Sequence, residues 1–282
     1  MEIIMRKIKI VTDSSSDVLK IGYEHFASAP LKIITSEREF TDDASVDVDG
    51  MVSYLSSYKG KSQTSCPNTN DWLAAFGDAD DVFCITITSG LSGSYNSACI
   101  AKRTYEENSD KRVFVIDSLS TGPEMWLIIE KLEDYISEGL AFEEICQKIT
   151  DYQKTTGLLF ILKSVRNLAN NGRVSSILAK IIGIAGICIV GRASDVGTLE
   201  TTSKCRGEAR AVETVFADLE KRGFCGGKVS IGHCQNEAAA NSLKSLIAKK
   251  YANSMIEIHP LRALCSFYAE KGGLVVGFEK TN

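Results

Sequence analysis

Four short stretches carry residue types suited to binding a ligand. They are Thr12-Asp13-Ser14-Ser15-Ser16-Asp17, Thr64-Ser65-Cys66-Pro67, Thr88-Ser89-Gly90-Leu91-Ser92-Gly93-Ser94-Tyr95 and Asp117-Ser118-Leu119-Ser120-Thr121-Gly122. Hydroxyls and backbone amides at the start of a helix hold anions, because the helix end carries partial positive charge. The Ser92 stretch suits this best: a helical pattern follows it, and Gly93 lets a ligand approach the backbone. Plainer roles compete. Asp13 and Ser14 are also helix-capping types, and Thr64–Pro67 also reads as a turn before a helix.

Sharper chemistries fail on spacing. Gly90-Leu91-Ser92-Gly93-Ser94 has Ser94 where a nucleophile elbow needs its second glycine. No G-x-G-x-x-G follows either early strand candidate, and Leu55 stands where a phosphate loop ending in Gly60-Lys61-Ser62 needs glycine. Lys61 therefore reads as a solvated loop lysine. Asp42, Asp43, Asp47 and Asp49 lack the glycine and closing glutamate of a calcium loop, and read as a solvated loop ending in a helix cap. The nine cysteines contain no C-x-x-C and there are only three histidines, so no metal site is expected. His233 follows a strand candidate and could face a cleft; His25 and His259 have no identifiable partner.

The elements that must position these loops follow from periodicity. In the first half, strand patterns at Ile8–Thr12, Val82–Thr86 and Arg112–Asp117 alternate with helical patterns at Met51–Ser57, Asp71–Phe76, about Ser94–Glu106 and from Pro123. Such alternation implies a parallel sheet with crossover helices. Leu31–Thr41 looks extended. In the second half, Leu158–Leu162, Lys228–Cys234, Met255–Leu261 and Leu274–Glu279 read as strands, and Arg206–Arg222 and Glu237–Tyr251 as helices. Arg166–Arg173 reads as a polar turn, and the middle is glycine-rich at Gly183, Gly186 and Gly191. The fold class is α/β. A domain boundary is expected near residue 157, giving domains 1–157 and 158–282.

With 282 residues, 44% hydrophobic and 24% charged, the chain has a globular composition, and its net charge of −4 argues against nucleic acid as a partner. No signal peptide is legible at the N-terminus. The apolar run Ile177–Val190 is too short to span a bilayer and reads as buried core. Scattered cysteines inside apolar runs fit reduced thiols in the cytoplasm.

Taken in order, the stretches resemble the DegV family. Thr12-Asp13-Ser14 resembles its opening T-D-S. Thr64-Ser65-Cys66-Pro67 is similar to its T-S-Q-P, with Cys66 for glutamine. Ser89-Gly90-Leu91-Ser92-Gly93-Ser94-Tyr95-Asn96-Ser97-Ala98 is similar to S-x-L-S-G-T-Y-x-S-A, and Val115-Ile116-Asp117-Ser118 matches the strand that follows. Leu168–Arg173 resembles L-x-x-x-G-R, and Lys204-Cys205-Arg206-Gly207 resembles K-x-R-G. The family's closing H-x-G-P-G has no counterpart: Phe267-Tyr268-Ala269-Glu270-Lys271-Gly272-Gly273 stands there without histidine.

The resemblance implies a Rossmann-like N-terminal domain with a parallel sheet, a smaller α/β C-terminal domain, and a fatty acid in a buried tunnel between them. It further implies that the carboxylate is presented to a separate fatty acid kinase, which forms an acyl phosphate. Thr64, Ser65, Ser92 and Gly93 would then hold the carboxylate. Asp13, Ser14, Arg173 and Tyr268 would support it, with Tyr268 supplying the polar group in place of the histidine. Arg206 would face the kinase. On this reading the protein needs no catalytic residue and no cofactor beyond the bound lipid. Two other readings compete. One is a serine-dependent hydrolase or acyltransferase acting on lipid esters through Ser92, which requires a base within reach of that hydroxyl. The other is a regulatory protein whose lipid only completes its core.

Overall fold

The computed structural model describes residues 6–174 and 186–280. In chain order the first half runs β1 (Ile8–Asp13), a 3₁₀ turn (Ser14–Ser16), β2 (Phe26–Ala29), β3 (Lys32–Thr35), β4 (Glu39–Thr41), α1 (Val48–Ser57), β5 (Ser62–Ser65), α2 (Thr69–Phe76), β6 (Asp81–Thr86), α3 (Ser94–Glu106), β7 (Arg112–Asp117), α4 (Pro123–Ser137) and α5 (Phe142–Gln153). The second half runs β8 (Thr156–Leu162), α6 (Arg166–Asn170), β9 (Ile187–Ala193), β10 (Leu199–Arg206), α7 (Glu208–Lys221), β11 (Lys228–His233), α8 (Glu237–Lys250), β12 (Met255–Pro260), α9 (Ala263–Ala269) and β13 (Leu274–Glu279).

The first half is built on a fully parallel sheet in the order β2-β1-β6-β7. Every residue of β6 is buried, because helices cover both faces of a parallel sheet. Alternation divides the strand between two cores. Phe83 and Ile85 pack with Met125, Ile128 and Ile149 of α4 and α5. Val82 and Cys84 pack with Trp72, Phe76 and Ala98 of α2 and α3. The loops after β1, β6 and β7 therefore gather at the carboxyl edge, where open α/β sheets bind ligands.

The second half forms a six-stranded mixed sheet in the order β10-β9-β8-β13-β11-β12, in which only β11 and β12 are parallel. Alternation again decides the faces. Leu159 and Ile161 of β8 and Val276 and Phe278 of β13 meet α7 and α8 in one core. Leu158, Phe160 and Leu162, with Val275, face the other way toward Ile33, Leu168 and α9. This second face is the one turned to the binding loops.

Several expectations need correction. Leu31–Thr41 is not one extended run but the hairpin β3–β4, which joins β5 in a separate three-stranded antiparallel sheet. Arg166–Arg173 opens with a helix, α6, rather than a turn. The glycine-rich middle contains the hairpin β9–β10 from residue 187 onward. Gly183 and the part of the Ile177–Val190 run up to residue 185 lie outside the described residues. Helix α5 has no counterpart in the sequence reading, although Phe142, Ile145 and Ile149 mark one face. Asp42 is not solvated: it is 1% exposed. Its Oδ1 and Oδ2 accept from the Ala263 and Leu264 amides at 3.2 and 3.0 Å. It thus holds the start of α9, where a carboxylate meets the positive helix end. Asp47 does cap a helix, accepting from Gly50 N–H at the start of α1.

Candidate functional site

Between the inner face of the six-stranded sheet and the loops of the first half lies a cavity of about 280 Å³. Its walls are apolar: Leu158, Phe160 and Leu162 from one face of β8, Leu168 from α6, and Leu31 and Ile87 from the first half. Its polar groups are few. Thr64 and Ser65 come from the end of β5, Ser92 and Gly93 from the loop before α3, Arg173 from the segment after α6, and Tyr268 from α9. Polar residues from four stretches distant in sequence thus line one cavity.

The geometry at these groups is specific. The Tyr268 hydroxyl and Thr64 Oγ1 lie 2.7 Å apart, so either can donate to the other. Burial pushes the Tyr268 phenol above its ordinary value, so it stays protonated at neutral pH. Ser92 Oγ accepts from the Ser94 N–H at 3.3 Å, which fixes the hydroxyl at the N-terminus of α3. Arg173 Nε donates to Leu91 O at 2.9 Å, and its Nη1 donates to Asn171 O. The guanidinium therefore ties the second half to the Ser92 loop. A Cβ on Gly93 would sit 3.4 Å from Cys66 Sγ, so the loop passes against the Thr64–Pro67 segment with little room to spare. Burial also raises the Cys66 thiol above its usual range.

Asp13 and Ser14 do not line the cavity. Ser14 Oγ accepts from the Leu31 N–H at 2.9 Å. Asp13 is fully buried behind the site. Its Oδ2 accepts from Ser94 Oγ at 2.6 Å and from the Ile87 N–H at 2.9 Å. Burial raises its carboxyl, opposed by these bonds. Asp13 therefore reaches the cavity only through the loop that carries Ser92. Arg206 is exposed at the end of β10, opposite Ile187, and away from the cavity lining. Sequence reasoning missed Cys265 and Leu199 as lining residues, whereas Thr121, from the fourth stretch, does line the cavity. The alternation Leu158-x-Phe160-x-Leu162 was a legible signal for one wall.

None of the three histidines lines this cavity. His233 lines a separate groove with Trp126 and His259, and its Nδ1 accepts from the Asn236 N–H at 3.3 Å. A histidine that could serve as the base for a Ser92 nucleophile is therefore not among the residues lining the cavity. Nor does any group of three or more His, Cys, Asp or Glu side chains among them form a metal site.

A parallel Rossmann-like sheet, a second mixed sheet and an apolar cavity between them with hydroxyls among its lining define a two-part α/β protein with a cavity of ligand-binding character. The family model described as "Uncharacterised protein, DegV family" matches residues 7–281, and the chain belongs to this family. A DegV domain-containing protein of Streptococcus pneumoniae is 42% identical over 276 residues, covering 96% of this chain and 98% of that one. A DegV family protein from Eubacterium eligens, loaded with heptadecanoic acid, superposes with a TM-score of 0.95 at 42% identity, covering 97% of this chain and 100% of that one. The Streptococcus pneumoniae Fatty Acid Kinase (Fak) B3 protein, loaded with linoleic acid, gives a TM-score of 0.95 at 41% identity over 98% of this chain and 100% of that one. No helix among the described residues is long and apolar enough to cross a membrane.

Proposed function

We propose that this protein binds a long-chain fatty acid in the cavity and presents its carboxylate to a separate fatty acid kinase, which converts it to an acyl phosphate. The observation that carries the proposal is the division of the cavity into apolar walls and one hydroxyl patch formed by Thr64, Ser65 and Ser92. Each buried CH₂ contributes about 0.8 kcal/mol. A hydrogen bond to a charged group adds about 1.5–3 kcal/mol. The tail therefore supplies most of the affinity and the hydroxyls fix which end faces outward. The Gly93 amide at the start of α3 adds a donor, and Tyr268, which lies 2.7 Å from Thr64 Oγ1, supplies the polar group in place of the family's histidine. Asp13 acts indirectly, by holding Ser94 and so the loop of Ser92. Exposed Arg206 is the contact offered to the kinase. The protein is a carrier working in the cytoplasm, not a catalyst, and needs no cofactor. Residues 1–157 and 158–282 are its two domains. Fatty acids in two relatives above 40% identity support this reading.

The test is mass spectrometry of lipid co-purified with the protein, combined with equilibrium exchange of a labelled fatty acid. Thr64→Ala with Ser92→Ala is expected to weaken binding at least about tenfold, the equivalent of one lost charge-assisted hydrogen bond. Unchanged affinity would refute the assignment of the head-group site. A protein that purifies empty and takes up no fatty acid would refute the function itself.

A further inference from the structure

A second cavity, of about 700 Å³, shares the lining residue Leu158 with the first. Its size falls within the ~300–1,000 Å³ of small-molecule sites. Its chemistry is opposite to that of the acyl cavity. Lys154 after α5, Arg192 on β9, Lys221 and Arg222 at the end of α7, and Lys280 after β13 all line it. Three carboxylates line it too, but each is already engaged. Asp117 Oδ1 accepts from the Ser89 and Leu119 amides at 3.0 and 3.2 Å. Glu124 is buried and accepts from Ser120 Oγ at 2.5 Å and Thr156 Oγ1 at 2.7 Å. Asp195 pairs with Arg192 at 3.0 Å.

Lys154 pairs with Asp151 at 2.7 Å, outside the cavity. Arg222, Lys221 and Lys280 have no carboxylate partner within ion-pair distance among the described residues. The Nε of Arg222 is buried and makes no hydrogen bond among them. A plainer account exists for part of this. Lys221 and Arg222 end α7, and cations suit a helix C-terminus. That accounts for their place in the sequence. It does not account for a guanidinium N–H buried without an acceptor, which is costly, nor for Lys280, beyond the end of β13, lining the same cavity; Arg192 is already paired, with Asp195 and with Glu200 at 2.8 Å.

We propose that this second cavity binds the phosphate of a phosphorylated small molecule, with Arg222 and Lys280 as the charged donors and Leu119 and Phe278 as the apolar floor. The planar guanidinium fork matches phosphate oxygens in a way that water does not. The site is independent of the acyl-binding reading, since none of its cations lines the first cavity.

The experiment is isothermal titration calorimetry of the full-length protein with pyrophosphate and with ADP at low salt. Wild type is compared with Arg222→Gln/Lys280→Gln and with the single Lys280→Gln. The expected result is saturable one-to-one binding, weakened about ten- to a hundredfold in the double variant, as loss of a charge-assisted contact requires. Fatty-acid occupancy should stay at the wild-type value. If the double variant does not fold, weaker binding in Lys280→Gln alone carries the same meaning. Failure of both probes to bind wild type, or equal binding to wild type and variants, overturns the proposal. Either result leaves the acyl cavity untouched, because lipid occupancy is read separately.

Discussion

Burial, reinforced by the neighbouring Asp42 carboxylate, lifts the Asp17 carboxyl to about 8. Its Oδ1 accepts from the Arg262 N–H at 2.8 Å, and Arg262 in turn lies 3.5 Å from Asp42. The shift has a stability consequence with a definite sign. An unfolded chain releases this proton near the ordinary value of 3.8, whereas the folded protein keeps it to about 8. Between these limits the folded state binds more protons, so stability falls as pH rises and levels off above about pH 8. Asp17→Asn keeps the acceptor for Arg262 and removes the titration. It should raise the thermal midpoint at pH 8 relative to wild type and flatten the decline between pH 5 and pH 8. An unchanged pH profile in the variant would show that Asp17 is ionised in the native protein. Asp13, Asp42 and Glu124 are raised by burial too, so the decline should be reduced and not abolished.

At the scale of elements, the hairpin β9–β10 has to reach across to the loops of the parallel sheet. Its tip allows this through Gly197, whose φ of +74° favours glycine. A Cβ there would overlap Thr88 Oγ1 and stand 3.0 Å from the Leu119 backbone. Gly90 meets the same tip, with Val196 O 3.0 Å from where its Cβ would be. Gly197→Ala therefore combines backbone strain with a clash against a fixed neighbour. It is expected to cost about 1–3 kcal/mol, measurable as a lower urea midpoint with an unchanged m-value. Leu199 at the base of the tip lines the acyl cavity, so the same variant should also release labelled fatty acid faster. Wild-type stability and exchange in this variant would mean that the tip does not hold the two halves together. The same β9–β10 hairpin has no counterpart in the sequence reading, because Gly191 falls inside β9 and β10 is mostly exposed, so neither strand carries a clear alternation.

For the whole molecule, a ligand that binds only the folded state should set much of its stability. Saturation at a free fatty acid concentration of 100 times Kd contributes about 2.7 kcal/mol. Stripping the lipid is expected to lower the thermal midpoint, and adding fatty acid back should restore it in proportion to the logarithm of its concentration. A midpoint indifferent to lipid would count against a cavity that holds the ligand between the two sheets. The cavity walls belong to both halves, with Leu31 and Ile87 from one and Leu158 and Phe160 from the other, so the loss should appear as a single cooperative transition.

Local patterning alone determined most of the elements. Val82–Thr86 and Ser94–Glu106 were legible because a buried strand and an amphipathic helix obey short-range rules of burial and periodicity. The ordered stretches around Thr12, Thr64, Ser89 and Leu168 likewise pointed to the family. What the tertiary structure decided is which of these residues meet. Asp42 looked solvated because four aspartates sit close in sequence, yet α9 arrives more than two hundred residues later and buries it. Tyr268 stands 2.7 Å from Thr64 for the same reason. Cations as far apart as Lys154 and Lys280 converge only because β8 and β13 pair in the sheet. Periodicity reports which face of an element is buried; the partner against which it is buried is set by the packing of the whole chain.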